Sequence, residues 1–202
     1  MKRPAPQPCP TIIGEVDAVC FDVFGTLVEI GDRRGAYLPF LRALPANARS
    51  DFRHRLMRED RVTADWPASL GLAIAPEIMA RVEAGITAEL ASLQLRHGMA
   101  DILTGVGAAG LRTALCSNLA SPYGPAVRSV LPGQVDIEAF SYLVGALKPE
   151  PAIYTHVAEG LRLSPDRILF VGDSQRADID GPRSFGFRAM HVLELEAAMC
   201  PM

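Results

Sequence analysis

Short apolar runs recur along the chain, and most of them end at a polar residue or a glycine. Such runs, bounded by turn-forming residues, are typical of buried β-strands. We therefore predict five strands, at residues 16–21, 112–116, 139–144, 167–171 and 188–193. Helical patterns separate the later strands, at residues 101–110, 151–161 and 177–185, with Gly186 placed to end the last helix.

This alternation of strands and helices predicts the fold class. Parallel strands that are joined by helices form sheets whose two faces are both covered. The expected core is therefore an α/β, Rossmann-like, five-stranded parallel sheet with helices on both faces. Ligands bind such sheets beyond the carboxyl ends of the strands.

Residues 30–99 follow a different pattern, because they contain no clear strand. Helical spacing covers residues 46–59 and 76–96, and in the second segment apolar residues recur three and four positions apart. We therefore predict an all-helical cap, residues 30–99, inserted into a core formed by residues 16–29 and 100–202.

Composition narrows the class of protein. The 202 residues are 49% apolar, which is enough for a sizeable core, and the formal charge of −3 argues against a nucleic-acid surface. Residues 1–15 open with four prolines in ten positions, so we expect a mobile tail rather than a signal peptide. No run approaches the ~20 apolar residues of a membrane-spanning helix. None of the four cysteines forms a C-x-x-C pair, which fits a reducing, cytoplasmic location.

Polar residues follow four of the predicted strands, at the sheet edge where ligands bind. They are Asp22 after the first strand, Ser117 and Asn118 after the second, Lys148 after the third, and Asp173 and Asp178 after the fourth. A carboxylate such as that of Asp22 can act as a nucleophile, forming a covalent intermediate that water later hydrolyses. Lys148 would steady Asp22 and the developing anion. The Ser117 hydroxyl would bind a substrate oxygen, and the Thr26 hydroxyl would donate to the Asp22 loop.

Oxygen atoms of the same loops could hold a cation. Mg²⁺ prefers oxygen ligands in an octahedron. Asp22 and Asp173 would supply carboxylates, and the carbonyl of Phe24 a third oxygen. The ion would offset the repulsion between Asp22 and an incoming anion. The expected cofactor is therefore Mg²⁺, and the expected partner is a small anionic substrate.

Four motifs, FDVFGTL, CSN, ALKPEPAIY and FVGDSQRADIDG, occur in that order along the chain. Their sequence and order resemble the haloacid dehalogenase superfamily of hydrolases, in the branch whose helical cap lies between the first two motifs. The resemblance implies a role for each matching residue. Asp22 would be the aspartyl nucleophile, Thr26 and Ser117 the loop-orienting and oxyanion-binding hydroxyls, Lys148 the charge-stabilising lysine, Asp173 the metal carboxylate, and Asp178 its acidic companion, as a ligand or beside one.

Phe24 departs from the phosphatases of this superfamily. They usually carry a second aspartate two residues after the nucleophile, which protonates the leaving alcohol and then activates water. Phe24 can do neither, and it resembles the 2-haloacid dehalogenases, whose halide leaving group needs no proton. The five-residue step from Asp173 to Asp178 resembles the phosphatases instead, because those dehalogenases carry serine first and use no metal. Asp173 beside Asp22 without a cation would be repulsive, which favours a metal.

The sequence therefore favours a magnesium-dependent, phosphatase-like hydrolase that acts through an aspartyl intermediate. A metal-independent 2-haloacid dehalogenase is the main alternative, and a catalytically impaired fold used as a binding or regulatory module is a further one. Phosphonate hydrolysis fits less well, since it needs a cap lysine and residues 30–100 contain none. The expected substrate is a phosphate ester or a 2-haloacid, contacted by Phe24, Arg33, Arg34, Ser117 and Asn118.

Overall fold

The computed structural model describes residues 15–199, so the predicted tail, residues 1–15, lies outside the described residues except for Glu15. Five parallel strands form the main sheet, in the order β5–β4–β1–β6–β7, and β2 pairs with β3 in a separate antiparallel ribbon. The strands are β1 (Ala18–Phe21), β2 (Val28–Ile30), β3 (Leu93–Leu95), β4 (Arg112–Ser117), β5 (Ile137–Phe140), β6 (Ile168–Gly172) and β7 (Arg188–His191). The predicted five-stranded parallel sheet is confirmed.

Ten α-helices connect these strands within residues 15–199. They are α1 (Leu38–Ala43), α2 (Ala46–Leu56), α3 (Trp66–Ser69), α4 (Pro76–Ala91), α5 (Met99–Ala108), α6 (Tyr123–Val130), α7 (Ser141–Val144), α8 (Pro151–Leu161), α9 (Gly181–Phe185) and α10 (Val192–Met199). Single 3₁₀ turns occupy Thr63–Asp65 and Pro165–Arg167, and a π-helical turn occupies Gln175–Asp180. No helix in the described part of the chain has the length and apolar character needed to span a bilayer.

Alternate residues of the sheet strands face two separate apolar clusters. Val19, Phe21 and Val171 belong to the cluster on one face, whereas Cys20 and Phe170 belong to the cluster on the other. Successive side chains of a strand point to opposite faces, so burial of both sets means that both faces of the sheet are covered. This arrangement confirms the layered α/β core.

Helices α1–α4 lie between β2 and β3 in the chain. Their aromatic side chains pack together, with the ring centroid of Phe52 4.7 Å from that of Phe40 and 5.1 Å from that of Trp66. These three residues belong to the same apolar cluster as one face of the main sheet. The inserted helices therefore share a core with the sheet.

Two predicted strands are wrong in their second halves. The strand predicted at residues 139–144 ends at Phe140 and gives way to helix α7. The strand predicted at residues 188–193 ends at His191, whose ring Nδ1 accepts a hydrogen bond from the N–H of Leu193 at the start of α10. A short apolar run does not distinguish strand from helix by its pattern alone, and here tertiary contacts decide.

The expectation that residues 30–99 contain no strand is also wrong. The helix predicted at residues 76–96 ends at Ala91, where the hydroxyl of Ser92 donates to the carbonyl of Glu89 at 2.8 Å. The following residues form β3, which pairs with β2. A three-residue strand is too short to show a period of two, so only its distant partner reveals it.

The helix predicted at residues 177–185 is present in two parts. It begins as the π-helical turn Gln175–Asp180 and continues as α9. Gly186 ends it in the left-handed conformation, with φ of +108°, as predicted.

Candidate active site

The carboxyl ends of three neighbouring strands carry the predicted residues. Asp22 follows β1, Ser117 is the last residue of β4, and Asp173 follows β6. Phe21 at the end of β1 is in register with Leu115 and Val171 on its two neighbours. The three strands therefore deliver their terminal side chains to one point at the centre of the sheet edge.

Asp22 is 6% exposed, and its carboxylate is held from several sides. Oδ1 accepts hydrogen bonds from the Ser117 hydroxyl at 2.9 Å and from the Lys148 ammonium at 2.5 Å, and Oδ2 accepts one from the Thr26 hydroxyl at 3.4 Å. The loop behind it is tight, since the N–H groups of Thr26, Leu27 and Val28 all donate to the carbonyl of Val23. The carboxylate is thus fixed in orientation.

Lys148 lies between two carboxylates in the interior. Its Nζ is 2.5 Å from Oδ1 of Asp22 and 2.6 Å from Oδ1 of Asp178, and it lies 5.2 Å from the centre of the Phe170 ring. The Asn118 amide holds the lysine backbone, since its Oδ1 accepts from the N–H of Lys148 at 2.7 Å and its Nδ2 donates to the carbonyl at 3.0 Å. Asn118 therefore positions Lys148, and its contact with substrate stays a prediction.

Three carboxylates form a cluster beside this lysine. Oxygen atoms of Asp22, Asp173 and Asp178 all lie within 4.8 Å of one another. Asp178 is fixed by the backbone N–H of Ser174, which donates to its Oδ2 at 2.9 Å, while Asp173 is exposed. A Cβ atom at Gly25, which has φ of +88°, would overlap the Asp173 carboxylate. Glycine at this position therefore lets the loop after Asp22 and the loop of Asp173 approach each other closely.

The cluster carries more negative than positive charge, and the pKa shifts reflect this. Burial raises the pKa of Asp178, and repulsion from Asp22 adds to the rise, although Lys148 opposes it. Burial alone would lower the pKa of Lys148, but the charges of Asp22 and Asp178 outweigh it and raise that pKa. A divalent cation prefers oxygen ligands and would neutralise the excess charge. The donor set therefore fits Mg²⁺, while the carbonyl of Phe24 as a further ligand stays a prediction.

The Phe24 side chain is half-buried and contacts a second aromatic residue. Its ring packs edge-to-face against Tyr123, with 5.9 Å between the centroids. The Tyr123 hydroxyl donates to Oε2 of Glu89, and Oε1 of Glu89 accepts from the backbone N–H groups of three consecutive residues, Arg34, Gly35 and Ala36. Burial and the hydrogen bond to Glu89 raise the pKa of Tyr123.

Sequence reasoning missed Glu89 and Tyr123. Glu89 is 5% exposed and lies seven residues after Val82 and three after Ile86, so a carboxylate interrupts the apolar stripe of α4. That interruption is the signal that could have identified it, because buried carboxylates are rare unless they are hydrogen-bonded.

The predicted substrate contacts by Arg33 and Arg34 do not appear among the interactions around Asp22. Both side chains are exposed, and the guanidinium of Arg34 pairs with Asp32 at 2.6 Å. A different arginine contacts the loop after Asp22. Nη1 of Arg96 donates to the carbonyl of Gly25 at 2.7 Å and to that of Thr26 at 3.1 Å. Its Nη2 pairs with Glu196 of α10 at 2.9 Å.

Comparison with known proteins adds a family. Residues 16–186 match the haloacid dehalogenase-like hydrolase family. Similar solved structures include an HAD phosphatase from Thermococcus onnurineus, with 23% identity, TM-score 0.58 and coverage of 86% of this chain and 85% of that one. An HAD family enzyme from Bacteroides thetaiotaomicron, in complex with magnesium and inorganic phosphate, has 17% identity, TM-score 0.62 and coverage of 87% and 93%. L-2-haloacid dehalogenase from Xanthobacter autotrophicus, with chloropropionic acid covalently bound, has 21% identity, TM-score 0.56 and coverage of 92% and 85%.

No curated protein sequence matches the chain significantly. The solved structures share 17–23% of their sequence with it, so the likeness to them shows the fold alone. The family match covers most of the chain, and the four motifs quoted above lie within it. The chain therefore belongs to the haloacid dehalogenase-like hydrolases.

Proposed function

We propose that this hydrolase is a magnesium-dependent, phosphatase-like enzyme that acts on a small anionic substrate through an aspartyl intermediate on Asp22. The observation that carries the proposal is the cluster of Asp22, Asp173 and Asp178; among residues 15–199, the ammonium of Lys148 is the one lysine charge beside it. A bound cation would neutralise this excess of negative charge. Bound there, Mg²⁺ would screen the nucleophile from an incoming phosphate.

The side chains around Asp22 provide the chemistry of the first step. Among residues 15–199, only Thr26 donates to Oδ2, through a long hydrogen bond, so this oxygen has lone pairs that could attack phosphorus. Ser117 and Lys148 hold Oδ1 and so keep the carboxylate aimed at the substrate. The ammonium also lies where it stabilises negative charge that develops on the transferred group.

Helices α1–α4, within residues 30–99, form the proposed cap. The contacts that join this segment to the sheet and its helices include Arg58 with Glu150, Asp60 with Ser121, and Glu89 with Tyr123. These contacts suit a segment that closes over the carboxyl edge of the sheet and excludes water.

A specific observation supports 2-haloacid dehalogenase activity as the second candidate. Phe24 and Tyr123 form an aromatic wall beside the nucleophile loop, where a phosphatase would carry an acid. A halide leaving group needs no proton, so an apolar wall would suffice for its departure. The acidic cluster argues for the phosphatase, because a dehalogenase gains nothing from three adjacent carboxylates.

A paired assay separates these candidates. We expect phosphate release from nitrophenyl phosphate in Mg²⁺, its loss on chelation, and no halide from 2-chloropropionate under either condition. Asp22→Asn should abolish turnover, because an amide is a poor nucleophile. Halide release that persists with chelator would favour the dehalogenase, and a folded, metal-binding protein without turnover of either substrate would favour a binding module.

A further inference from the structure

The loops that hold Asp22 and Ser117 are joined by an aromatic pair. Phe24 lies two residues after Asp22, and Tyr123 lies six residues after Ser117. The hydrogen bond of 2.9 Å between Ser117 and Asp22 and the edge-to-face contact of 5.9 Å between the two rings connect the same two loops. At the second position after Asp22 the chain therefore presents an aromatic ring, which has no proton to transfer.

Glu89, the buried acid beyond this aromatic pair, is engaged in hydrogen bonds of its own. Glu89 accepts four hydrogen bonds, three from backbone N–H groups and one from the hydroxyl of Tyr123. Both oxygen atoms of this carboxylate are therefore engaged within the network. The hydroxyl of Tyr123 is engaged as well, because it donates to Glu89.

The remaining donors beside Asp22 are already engaged. The hydroxyls of Thr26 and Ser117 donate to Asp22, and the ammonium of Lys148 is shared between Asp22 and Asp178. Among residues 15–199, the groups that contact Asp22 therefore include no acid that could protonate a departing alkoxide.

This environment restricts the leaving group. An alkoxide is strongly basic, and the loss of a general acid costs its departure ~10²–10⁴-fold in rate. A carboxylate, with a pKa of about 4 in its acid form, departs readily without a proton, and an acidic phenol behaves similarly. Resting on the function proposed above, we propose that the substrate is an acyl phosphate or an aryl phosphate, whose phosphoryl group is attached to a weakly basic oxygen.

With such a substrate, the first step of the reaction needs no acid. Oδ2 of Asp22 forms a bond to phosphorus, and the bond from phosphorus to the leaving oxygen breaks. The leaving group takes the electron pair and departs as a carboxylate or phenolate. Water then attacks phosphorus, the bond from phosphorus to Asp22 breaks, and the proton of water passes to the released phosphate and solvent. This second step has no base from the Phe24 position, so the intermediate accumulates.

The test is a leaving-group series measured with Mg²⁺. For the unaltered protein we expect kcat/KM to be high for acetyl phosphate and nitrophenyl phosphate, lower for phenyl phosphate, and at least about 100-fold lower for an alkyl phosphate. Rapid mixing with nitrophenyl phosphate should show a burst of nitrophenolate. If acetyl phosphate is hydrolysed much faster than every aryl phosphate, the substrate is of the acyl class. If the aryl phosphates are hydrolysed much faster than acetyl phosphate, it is of the aryl class.

Two variants at the same position separate the missing acid from the missing ring. Phe24→Asp should raise alkyl phosphate turnover at least ~10-fold and flatten the dependence on the leaving group. Phe24→Leu removes the ring without adding an acid, so the dependence should stay steep.

The leaving-group series on the unaltered protein tests the inference even if the Phe24→Asp variant fails to fold. If alkyl and nitrophenyl phosphates were turned over equally well, this inference would be overturned, while the proposed phosphatase function would remain supported. Failure to hydrolyse any phosphate in Mg²⁺, with halide released from 2-chloropropionate, would overturn the proposed function and this inference together.

Discussion

Lys148 is the only lysine after Lys2 in a chain with 20 basic residues, and it lies between two buried carboxylates. An ammonium is a compact point charge that can donate to two oxygens at 2.5 and 2.6 Å in a confined space. A guanidinium is planar and larger, and its charge is spread over a fork. At this position the choice of lysine over arginine follows from shape as well as charge.

Lys148→Arg is therefore expected to lower kcat by about 100-fold or more, because the charge would no longer sit at Oδ1 of Asp22. Circular dichroism should show that the fold persists. Arg128→Lys is the matched control. It exchanges guanidinium for ammonium, the opposite replacement, in the exposed ion pair with Glu138, and it should leave activity unchanged. A Lys148→Arg enzyme with activity within about twofold of the parent would contradict the role proposed for Lys148.

The side chains of the site differ in how far the sequence could predict them. Asp22, Ser117, Lys148 and Asp178 could be found because each is a polar residue in a motif near a strand end, and the structure brings them together. The contacts of Glu89 could not be found in this way, because they join α4 to residues 34 positions later and more than 50 positions earlier. Such partners depend on tertiary packing rather than on a local pattern.

At the scale of elements, Glu89 joins helix α4 to two other segments of the chain. Its carboxylate satisfies three consecutive N–H groups of the segment that leads into α1, and it reaches Tyr123 at the start of α6. Leaving buried donors without a partner costs more than the hydrogen bonds themselves contribute. The attachment of α4 to both neighbours therefore depends on this one side chain.

Replacing Glu89 by alanine should lower the free energy of unfolding by about 3 kcal/mol, since buried N–H groups would lose their acceptor. Urea denaturation monitored by circular dichroism measures the change. Glu83→Ala alters an exposed residue of the same helix and should change stability by less than about 0.5 kcal/mol. Equal effects of the two substitutions would show that the Glu89 contacts contribute nothing.

Among the elements themselves, those with long patterns were predictable. Helix α8 has the predicted bounds, Pro151–Leu161, and the central strands lie where apolar runs end at polar residues. β3 and α7 were not predicted, because β3 lies within the helical pattern of residues 76–96 and α7 continues the apolar run of β5. Their conformation is decided by the partner against which they pack.

For the whole molecule, a metal ion bound at the acidic cluster would couple metal binding to stability. At ~100 times its dissociation constant, Mg²⁺ should stabilise the fold by about 2.7 kcal/mol, which raises Tm by roughly 5–10 °C. Asp173→Asn should abolish this rise and, without metal, leave the protein at least as stable, because a repelling charge is gone. Scanning calorimetry with and without Mg²⁺ provides the measurement.

Asp180→Asn is the matched control, because Asp180 is exposed and hydrogen-bonds to Gln175 in the turn that carries Asp178. It should retain the full response to Mg²⁺. A parent protein whose Tm does not move with millimolar Mg²⁺, or an Asp173→Asn protein that responds as the parent does, would exclude a metal ion at the cluster.

The central place of β1 in the sheet has a consequence for the order of folding. Asp22 is bound by Ser117 and Lys148, which follow it by 95 and 126 residues, and Asp173 comes later still. Contacts between such remote positions require long loops to close and form slowly. A fragment that stops before Asp173 would contain Asp22 and yet no complete acidic cluster. The surroundings of Asp22 are thus completed only after the loop of Asp173 has been synthesised.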